Sequence, residues 1–395
     1  MKILMTTTSF PLFKNHTAGV FIYEQAKSFV NLGQDVTILA PYDLGSKKSE
    51  IMDGIKVKRF CYFFKKHQGL CYGSGVPANL KKGFKYKIQL PILVLFFFIK
   101  CLLLGRKYDL IYAHWTLSGL GAVLAGKILR KPVVLMIHHG QEDFKKLKFL
   151  MKIPIENADH LVFNSSFTMG KTLKNFKPKK YSIIPPGVDI NKFKPINLSQ
   201  YSEFFESYGI KSNSKVIFAM GRHIAWKGFN YLIKAFADIK DKDALLVLAG
   251  SGPETKSLQT LAKSLKIHDR VIFLGNIPNN KTPLFYNRAL LFVQPSIVDN
   301  QGNTEGLGVV ILEALACGTP VAASKVGGII DIIKDGENGL SFEQKDVQKL
   351  SGIMESMINK NEKDNKMSKN ARTFVLNTYS WNVLTEQNLN LLQRL

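Results

Sequence analysis

The sequence predicts an α/β chain of two doubly wound parallel-sheet domains, and three observations carry that prediction. Short β-rich runs alternate with amphipathic segments through all 395 residues, the pattern of strand–helix–strand crossovers. A stretch rich in Pro, Asn and Ser without hydrophobic periodicity, PPGVDINKFKPINLSQ, interrupts the alternation near residues 185–200. The length allows two to three domains with ample core.

In the first half the strand candidates are KILMTTT, DVTILAP, IKVKRF, DLIYAHW, PVVLMIHH, HLVFNSS and YSIIPP. In the second they are KVIFAMG, ALLVLAG, RVIFLGN, LLFVQPS and PVAAS. Helices fit between them. The segment from Val20 to Asn31 is closed by Gly33, those over residues 230–239, 254–265 and 307–316 follow their strands, and Gly318 closes the last. The chain therefore divides into an N-terminal domain over residues 1–190, a C-terminal domain over 191–375, and a helix over 376–395 that crosses back to the first domain. That last segment carries Leu384, Leu389 and Leu392 at helical spacing.

Composition narrows the surroundings. The net charge is +24, and it is lopsided: residues 1–195 hold 31 Lys and Arg against 11 Asp and Glu, residues 196–395 hold 23 against 19. The first half faces something anionic. Its densest part, from Lys56 to Arg106, interleaves cations with Phe and Tyr, which fits an anionic membrane surface better than a merely solvated face. No nucleic-acid-binding motif accompanies the charge. Cys61, Cys71, Cys101 and Cys317 are scattered without metal-binding spacing and read as free thiols in a reducing, cytoplasmic compartment. The opening MKILMTTTSFP is too short in apolar residues for a secretory signal and reads as a first buried strand. Leu90 to Leu104 is the most hydrophobic run, but fifteen residues with Pro91 and Lys100 fall short of the ~20 of a membrane span, so it reads as a buried or interfacial helix.

In open parallel sheets ligands bind beyond the carboxyl ends of strands, and the distinctive residues fall there. After the first strand, Gly19 opens a helix where a backbone can approach a phosphate; a plain strand-to-helix turn is the alternative. After KVIFAM come Gly221, Arg222 and Lys227, paired cations able to neutralise a diphosphate, or else a solvated pair. The GSGPET loop from Gly250 lacks a third glycine in the dinucleotide pattern and reads as a turn. Asp241 and Asp243 form a DxD pattern before a strand and not after one, and no metal role is expected. The run EGLGVVILE sets Glu305 and Glu313 on what reads as one helix, roughly 12 Å apart or less. That separation suits a hexose hydroxyl at one end and a ribose diol at the other, with phosphates at the glycine-rich N–H groups between. A carboxylate two turns into an apolar helix, such as Glu313, needs a partner.

Taken together, EGLGVVILEALACGTPVAASKVGG, GRHIAWKG, SIIPPGVDINKFKP, AHWTLSGLGA and the closing YSWN resemble retaining glycosyltransferase family 4 over nearly the whole chain. The resemblance implies the GT-B fold, two Rossmann-like domains facing a central cleft that closes over the substrates. It implies that Glu305 contacts donor-sugar hydroxyls and Glu313 the ribose. Arg222 and Lys227 would grip the diphosphate with the backbone of Leu307, Gly308 and Val309, Gly221 is counted with the donor-binding residues, Gly19 matches the glycine-loop position of the N-terminal domain, and Ile277 matches the backbone position that meets the base. A histidine after PVVLMI is expected beside the donor sugar. Spacing from Pro132 makes it His138, although His139-Gly140 imitates the usual pair. His114 is expected to be structural or acceptor-side. Trp226, where the family more often has an acidic residue, and the spacing of Gln141, Glu142 and Asp143 depart from the pattern.

The expected activity is metal-independent hexosyl transfer with retention, with no cofactor beyond a nucleotide-diphosphate sugar as co-substrate, UDP in preference to GDP. The expected acceptor is a lipid-linked or envelope glycan of polysaccharide, lipopolysaccharide or capsule synthesis, met at the inner face of the cytoplasmic membrane, with no nucleic acid involved. A GT-B sugar-nucleotide epimerase and a non-catalytic nucleotide-sugar-binding protein are the alternatives.

Overall fold

The computed structural model describes residues 1–395 apart from 14, 15, 17, 74, 139–147 and 361–364, with residue 365 described for its backbone alone. The chain forms two compact units, Met1–Pro186 with Trp381–Leu395, and Gly187–Ser380. These divisions fall a few residues from the expected 190/191 and 375/376. The cause is local: Val188 is already bridged to Ser380, and Phe193 is buried against Tyr286, so the Pro-rich stretch belongs to the second unit and is no free linker.

The first unit begins β1 (Lys2–Thr6), α1 (Val20–Asn31), β2 (Asp35–Pro41), β3 (Ser49–Met52) and β4 (Ile55–Phe60). It continues through α2 (Val76–Lys81), α3 (Phe84–Gly105), β5 (Leu110–His114), α4 (Thr116–Leu129) and β6 (Val133–Ile137). Then come α5 (Lys148–Asn157), β7 (His160–Phe163), α6 (Ser166–Leu173) and β8 (Tyr181–Ile183). The strands lie in the order β3-β4-β2-β1-β5-β6-β7-β8, parallel except for β3. Because β1 pairs with both β2 and β5, the chain reverses direction across the sheet between β1 and β5. That is where a doubly wound sheet opens a crevice.

The second unit contains α7 (Ser202–Glu206), β9 (Lys215–Met220), α8 (Phe229–Ala237), β10 (Ala244–Ala249), α9 (Thr255–Ser264) and β11 (Val271–Gly275). After them come α10 (Thr282–Arg288), β12 (Leu291–Gln294), α11 (Val309–Ala316), β13 (Val321–Ser324), β14 (Leu340–Phe342), α12 (Val347–Lys360) and α13 (Asn365–Thr378). Its all-parallel sheet runs β11-β10-β9-β12-β13-β14, with the reversal between β9 and β12. The last helix, α14 (Trp381–Leu392), returns to the first unit, where the hydroxyls of Ser28 and Thr385 meet at 2.6 Å and Tyr112 donates to Asn388 at 2.9 Å.

Apolar strands explain both cores. All five residues of β5 and of β6 are buried, as parallel strands covered on both faces must be. Two edge strands have no counterpart in the sequence reading. β3 is half exposed and carries only two apolar residues, and β14 is three residues long, too little for a periodic signal. The apolar run expected over Leu90–Leu104 is part of a longer helix, α3, whose 22 residues reach the length of a membrane span. Only a third of its most apolar stretch is buried, so of the two expected forms, buried or interfacial, α3 is not the mostly buried one. Pro91 sits inside it and cannot donate to the carbonyl of Lys87.

Candidate active site

In the second unit the crossover between β9 and β12 brings two strand-end loops together. Gly228, at φ +68°, caps α8, and a Cβ there would lie 2.0 Å from the carbonyl oxygen of Pro295, which follows β12. Only glycine permits that approach. Lys227, held in the short turn before Gly228, therefore points at Glu305, with Nζ to Oε2 2.5 Å. Both side chains are nearly buried, 10% and 12% exposed. Gln294 Nε2 donates to the same oxygen at 3.2 Å and the Ser296 hydroxyl at 3.4 Å, and Gln294 also donates to Ser296 at 2.8 Å. The Ser324 hydroxyl holds the carbonyl of Ser296. Every recorded contact of the Glu305 carboxylate thus falls on Oε2, and Oε1 has no partner among the described residues. Lys227 also lies 4.8 Å from the centre of the Trp226 ring, so the aromatic that departs from the family pattern supports the cation by a cation–π contact.

Arg222 stands beside this pair in sequence but exposed, its guanidinium without a hydrogen bond or ion pair among the described residues. Its loop is rigid for a separate reason. Gly250, at φ +112°, and Gly252 have no room for a Cβ against the main chains of Gly221 and His223. The His223 ring meets the Thr255 hydroxyl at 2.9 Å, and Glu254 N–H donates to the His223 carbonyl at 3.0 Å. The GSGPET segment is the turn expected of it, and it also braces the loop that carries Gly221 and Arg222.

The two glutamates do not share a helix. α11 opens at Val309, after Gly308 at φ +97°, and Glu305 lies in the loop before it. The Glu305 carbonyl accepts from Gly328 N–H at 3.0 Å in place of starting the helix, so the estimate of separation along one helix axis does not apply. The N–H groups of Leu307, Gly308 and Val309 find no acceptor among the described residues, which leaves them as donors at the start of α11. Glu313, on α11, accepts from the Tyr286 hydroxyl at 2.7 Å. Burial pushes its carboxyl up to about 7, against the pull of that hydrogen bond and of the Lys192 charge. The required partner is thus Tyr286, fully buried on α10, which the sequence reading did not single out. Gln294 was also missed, although a glutamine closing an otherwise apolar strand is a visible signal. Ile277 is half-buried in the loop after β11, and no recorded contact joins it or Glu313 to the Lys227–Glu305 pair.

Gly19 and His138 belong to the first unit. Gly19, at φ +66°, begins α1 where a Cβ would sit 2.4 Å from the Ser9 carbonyl oxygen, so the loop after β1 closes tightly on the helix start. His138 follows β6 directly, is buried, and is packed by the rings of Phe21 and Trp115, each 4.7 Å away. Its Nε2 lies 2.9 Å from Nδ1 of His114, the last residue of β5, with the two rings stacked. Trp115 takes φ +74° to begin α4, an unfavourable backbone for a bulky residue at the strand end beside both histidines. His139, Gly140, Gln141, Glu142 and Asp143 lie outside the described residues.

Comparison with known proteins places this geometry. The family model for glycosyl transferases group 1 matches residues 200–374, and that for Glycosyltransferase Family 4 matches residues 18–192. An uncharacterized glycosyltransferase of Methanocaldococcus jannaschii is 30% identical over 304 residues, 72% of this chain and 75% of that protein. A GDP-mannose-dependent phosphatidylinositol monomannoside mannosyltransferase of Mycolicibacterium smegmatis is 29% identical over 57% of this chain, and the match spans 59% of its length. Among solved structures, HepE of Anabaena in complex with UDP superposes with a TM-score of 0.79 at 22% identity, covering all of both chains, a likeness of fold. Two family models that cover the two halves in turn, with a relative at this identity and coverage, establish that the chain belongs to the glycosyltransferases of family 4, the group 1 glycosyl transferases, with their GT-B fold.

Proposed function

We propose that this glycosyltransferase moves a hexosyl sugar from a nucleotide-diphosphate sugar, UDP-linked in preference to GDP-linked, to a lipid-linked or envelope glycan, with retention and without an obligatory metal. The observation that carries the reading is the Lys227–Glu305 pair with its one uncommitted carboxylate oxygen. Glu305 Oε1 then accepts from a donor-sugar hydroxyl. Lys227 and the exposed Arg222 take up the charge that develops on the departing diphosphate, with the N–H groups of Leu307, Gly308 and Val309 as further donors, an electrostatic role that makes a metal unnecessary. The acceptor hydroxyl attacks the anomeric carbon from the face the diphosphate leaves, its proton passing to the leaving phosphate oxygen. Glu313 binds the ribose, Ile277 the base through its backbone, Gly221 and Gly19 keep the loops close, and His138 contacts the donor sugar.

The UDP reading is supported by HepE, whose fold is alike and which binds UDP and UDP-glucose, and opposed by the mycobacterial relative named above, which is GDP-mannose-dependent. The basic first unit and the lipid-directed names among the relatives, an alpha-monoglucosyldiacylglycerol synthase of Streptococcus pneumoniae included, support a membrane acceptor at the cytoplasmic face. Thermal unfolding in the presence of a panel of UDP- and GDP-sugars tests the donor, since a ligand that binds only the folded state raises the midpoint. Stabilisation by GDP-sugars alone overturns the UDP assignment, and a panel without effect overturns the donor site.

A further inference from the structure

On the first unit, α3 packs along α4, and α4 against α5. Gly121 of α4 meets α3 so closely that a Cβ there would lie 2.7 Å from Phe97. The inner face of α3 is locked into the core by Leu93, Phe97 and Cys101, none of them exposed, so α3 cannot leave the sheet to cross a bilayer without opening that core. Its outer side is different. Between α3, α4 and α5 lies a groove of about 750 Å³, within the range of small-ligand sites, walled by Leu90, Val94, Leu95, Phe98, Leu120 and Leu124. Leu95 is 52% exposed and Leu124 39%, and Phe84, Ile99 and Leu103 continue the apolar surface along α3. A contiguous exposed apolar patch of this kind marks a binding surface.

Charge says what covers it. Among the described residues one cation, Lys87, lines the groove, at its α3 start, and from Lys87 to Phe98 the helix rises roughly 16 Å. Residues 76–157, from α2 through α5, contain fourteen Lys and Arg against four acidic residues, Asp109, Glu142, Asp143 and Glu156. An apolar slot with a cation at one end, set in a strongly basic surface, complements an amphiphile with an anionic head and a hydrocarbon tail. A second copy of this chain would bring the same positive field to the interface and be repelled.

We propose that this groove takes an acyl chain of an anionic phospholipid, whose phosphate pairs with Lys87 while α3 lies in the plane of the bilayer surface. The proposal rests on the membrane part of the function proposed above and deepens it, for it makes the lipid contact a built site and not a diffuse attraction of lysines.

Flotation of the full chain with vesicles tests it without any sugar donor. Vesicles of phosphatidylcholine with about one third phosphatidylglycerol should carry the protein up, and pure phosphatidylcholine vesicles should carry far less. The double variant Leu95→Asp, Leu124→Asp should lower the bound fraction about tenfold. Both side chains are partly exposed, so the variant should fold, and unchanged thermal unfolding confirms it. In a second variant, Leu95→Trp, emission should be quenched by lipids brominated along the acyl chain. Wild-type protein that does not float overturns the proposal, as do aspartate variants that float like wild type, an unquenched Trp at position 95, or a dimer in sedimentation that the aspartates dissolve. Nucleotide-sugar stabilisation measured on the same samples separates the two ideas, because a chain that binds donor but not vesicles keeps the transferase reading and loses the groove.

Discussion

The carbonyl oxygen of Glu305 occupies the space that a Cβ on Gly327 would fill, 2.0 Å from its ideal position, at a backbone φ of +55°. The loop that presents the Glu305 carboxylate is thus fixed from behind by a turn in a different crossover, after β13. Gly327→Ala should combine left-handed strain with a backbone clash and cost at least about 2 kcal/mol, or roughly 4–8 °C in the unfolding midpoint. Gly336, at φ +76° with nothing near its Cβ position, provides the control: Gly336→Ala should cost about 1 kcal/mol. Equal losses in the two variants, measured by thermal unfolding, would show that the Glu305 loop is not held by this contact.

Stability and chemistry should separate at the ion pair itself. Glu305→Gln keeps the volume and can still accept from Lys227, so stability should change by less than about 1 kcal/mol while transfer falls about 100-fold or more. Lys227→Ala leaves the carboxylate nearly buried with only Gln294 and Ser296 as donors and should lose both activity and about 2 kcal/mol of stability. Arg222→Ala, at an exposed guanidinium, should lose activity at unchanged stability. A Glu305→Gln enzyme with wild-type turnover removes Glu305 from the site.

Much of this was legible in the sequence because parallel sheets fix where loops meet. The strands of both cores are apolar runs, and Arg222 and Lys227 lie in the loop after β9 and Glu305 in the longer loop after β12, so all three stand out in the sequence. The misreadings share one cause. A pattern of residues reports local periodicity and not the partners that tertiary structure supplies. EGLGVVILE reads as a continuous helix, yet the Glu305 carbonyl is taken by Gly328, more than twenty residues on, and the helix waits until Val309. Tyr286 sits inside an ordinary helix, and nothing near it in sequence points to Glu313. The groove was hidden in the same way, since an apolar helix reads alike whether its faces are covered or open.

The Glu313 carboxyl is pushed up to about 7 by burial, so its ionised form is disfavoured in the unliganded protein. The sign for folding follows: the unfolded chain ionises near the ordinary carboxylate value, so this group favours the fold below that value and loses that contribution as pH rises through 7. Ribose hydroxyls donate to a carboxylate better than to a carboxylic acid. Nucleotide affinity should therefore rise with pH up to about 7, approaching tenfold per unit well below it, and level off above. Calorimetric titration across this range, with Glu313→Gln as reference, checks it. A flat profile in the wild-type protein, or a slope that survives in Glu313→Gln, removes Glu313 as the ribose anchor.

Which ring nitrogen of His114 carries its proton follows from its surroundings. His114 Nδ1 lies 2.9 Å from His138 Nε2, and His114 Nε2 is buried without a hydrogen-bond partner. Burial, together with His138, holds His114 well below the ordinary histidine range, so it stays neutral at physiological pH. A neutral His114 with its proton on Nε2 would leave a buried N–H orphaned, which is rarer than an unpaired acceptor. The proton therefore sits on His114 Nδ1 and is donated to His138 Nε2. Nitrogen NMR should show His114 neutral and protonated at Nδ1 near neutral pH. His114→Ala should remove this donor from His138 and lower turnover about five- to tenfold, the worth of one hydrogen bond, while nucleotide binding, proposed above to rest on the second unit, should stay unchanged. His138 protonated at Nε2 in the wild-type protein would reverse the direction of this bond and with it the positioning role of His114.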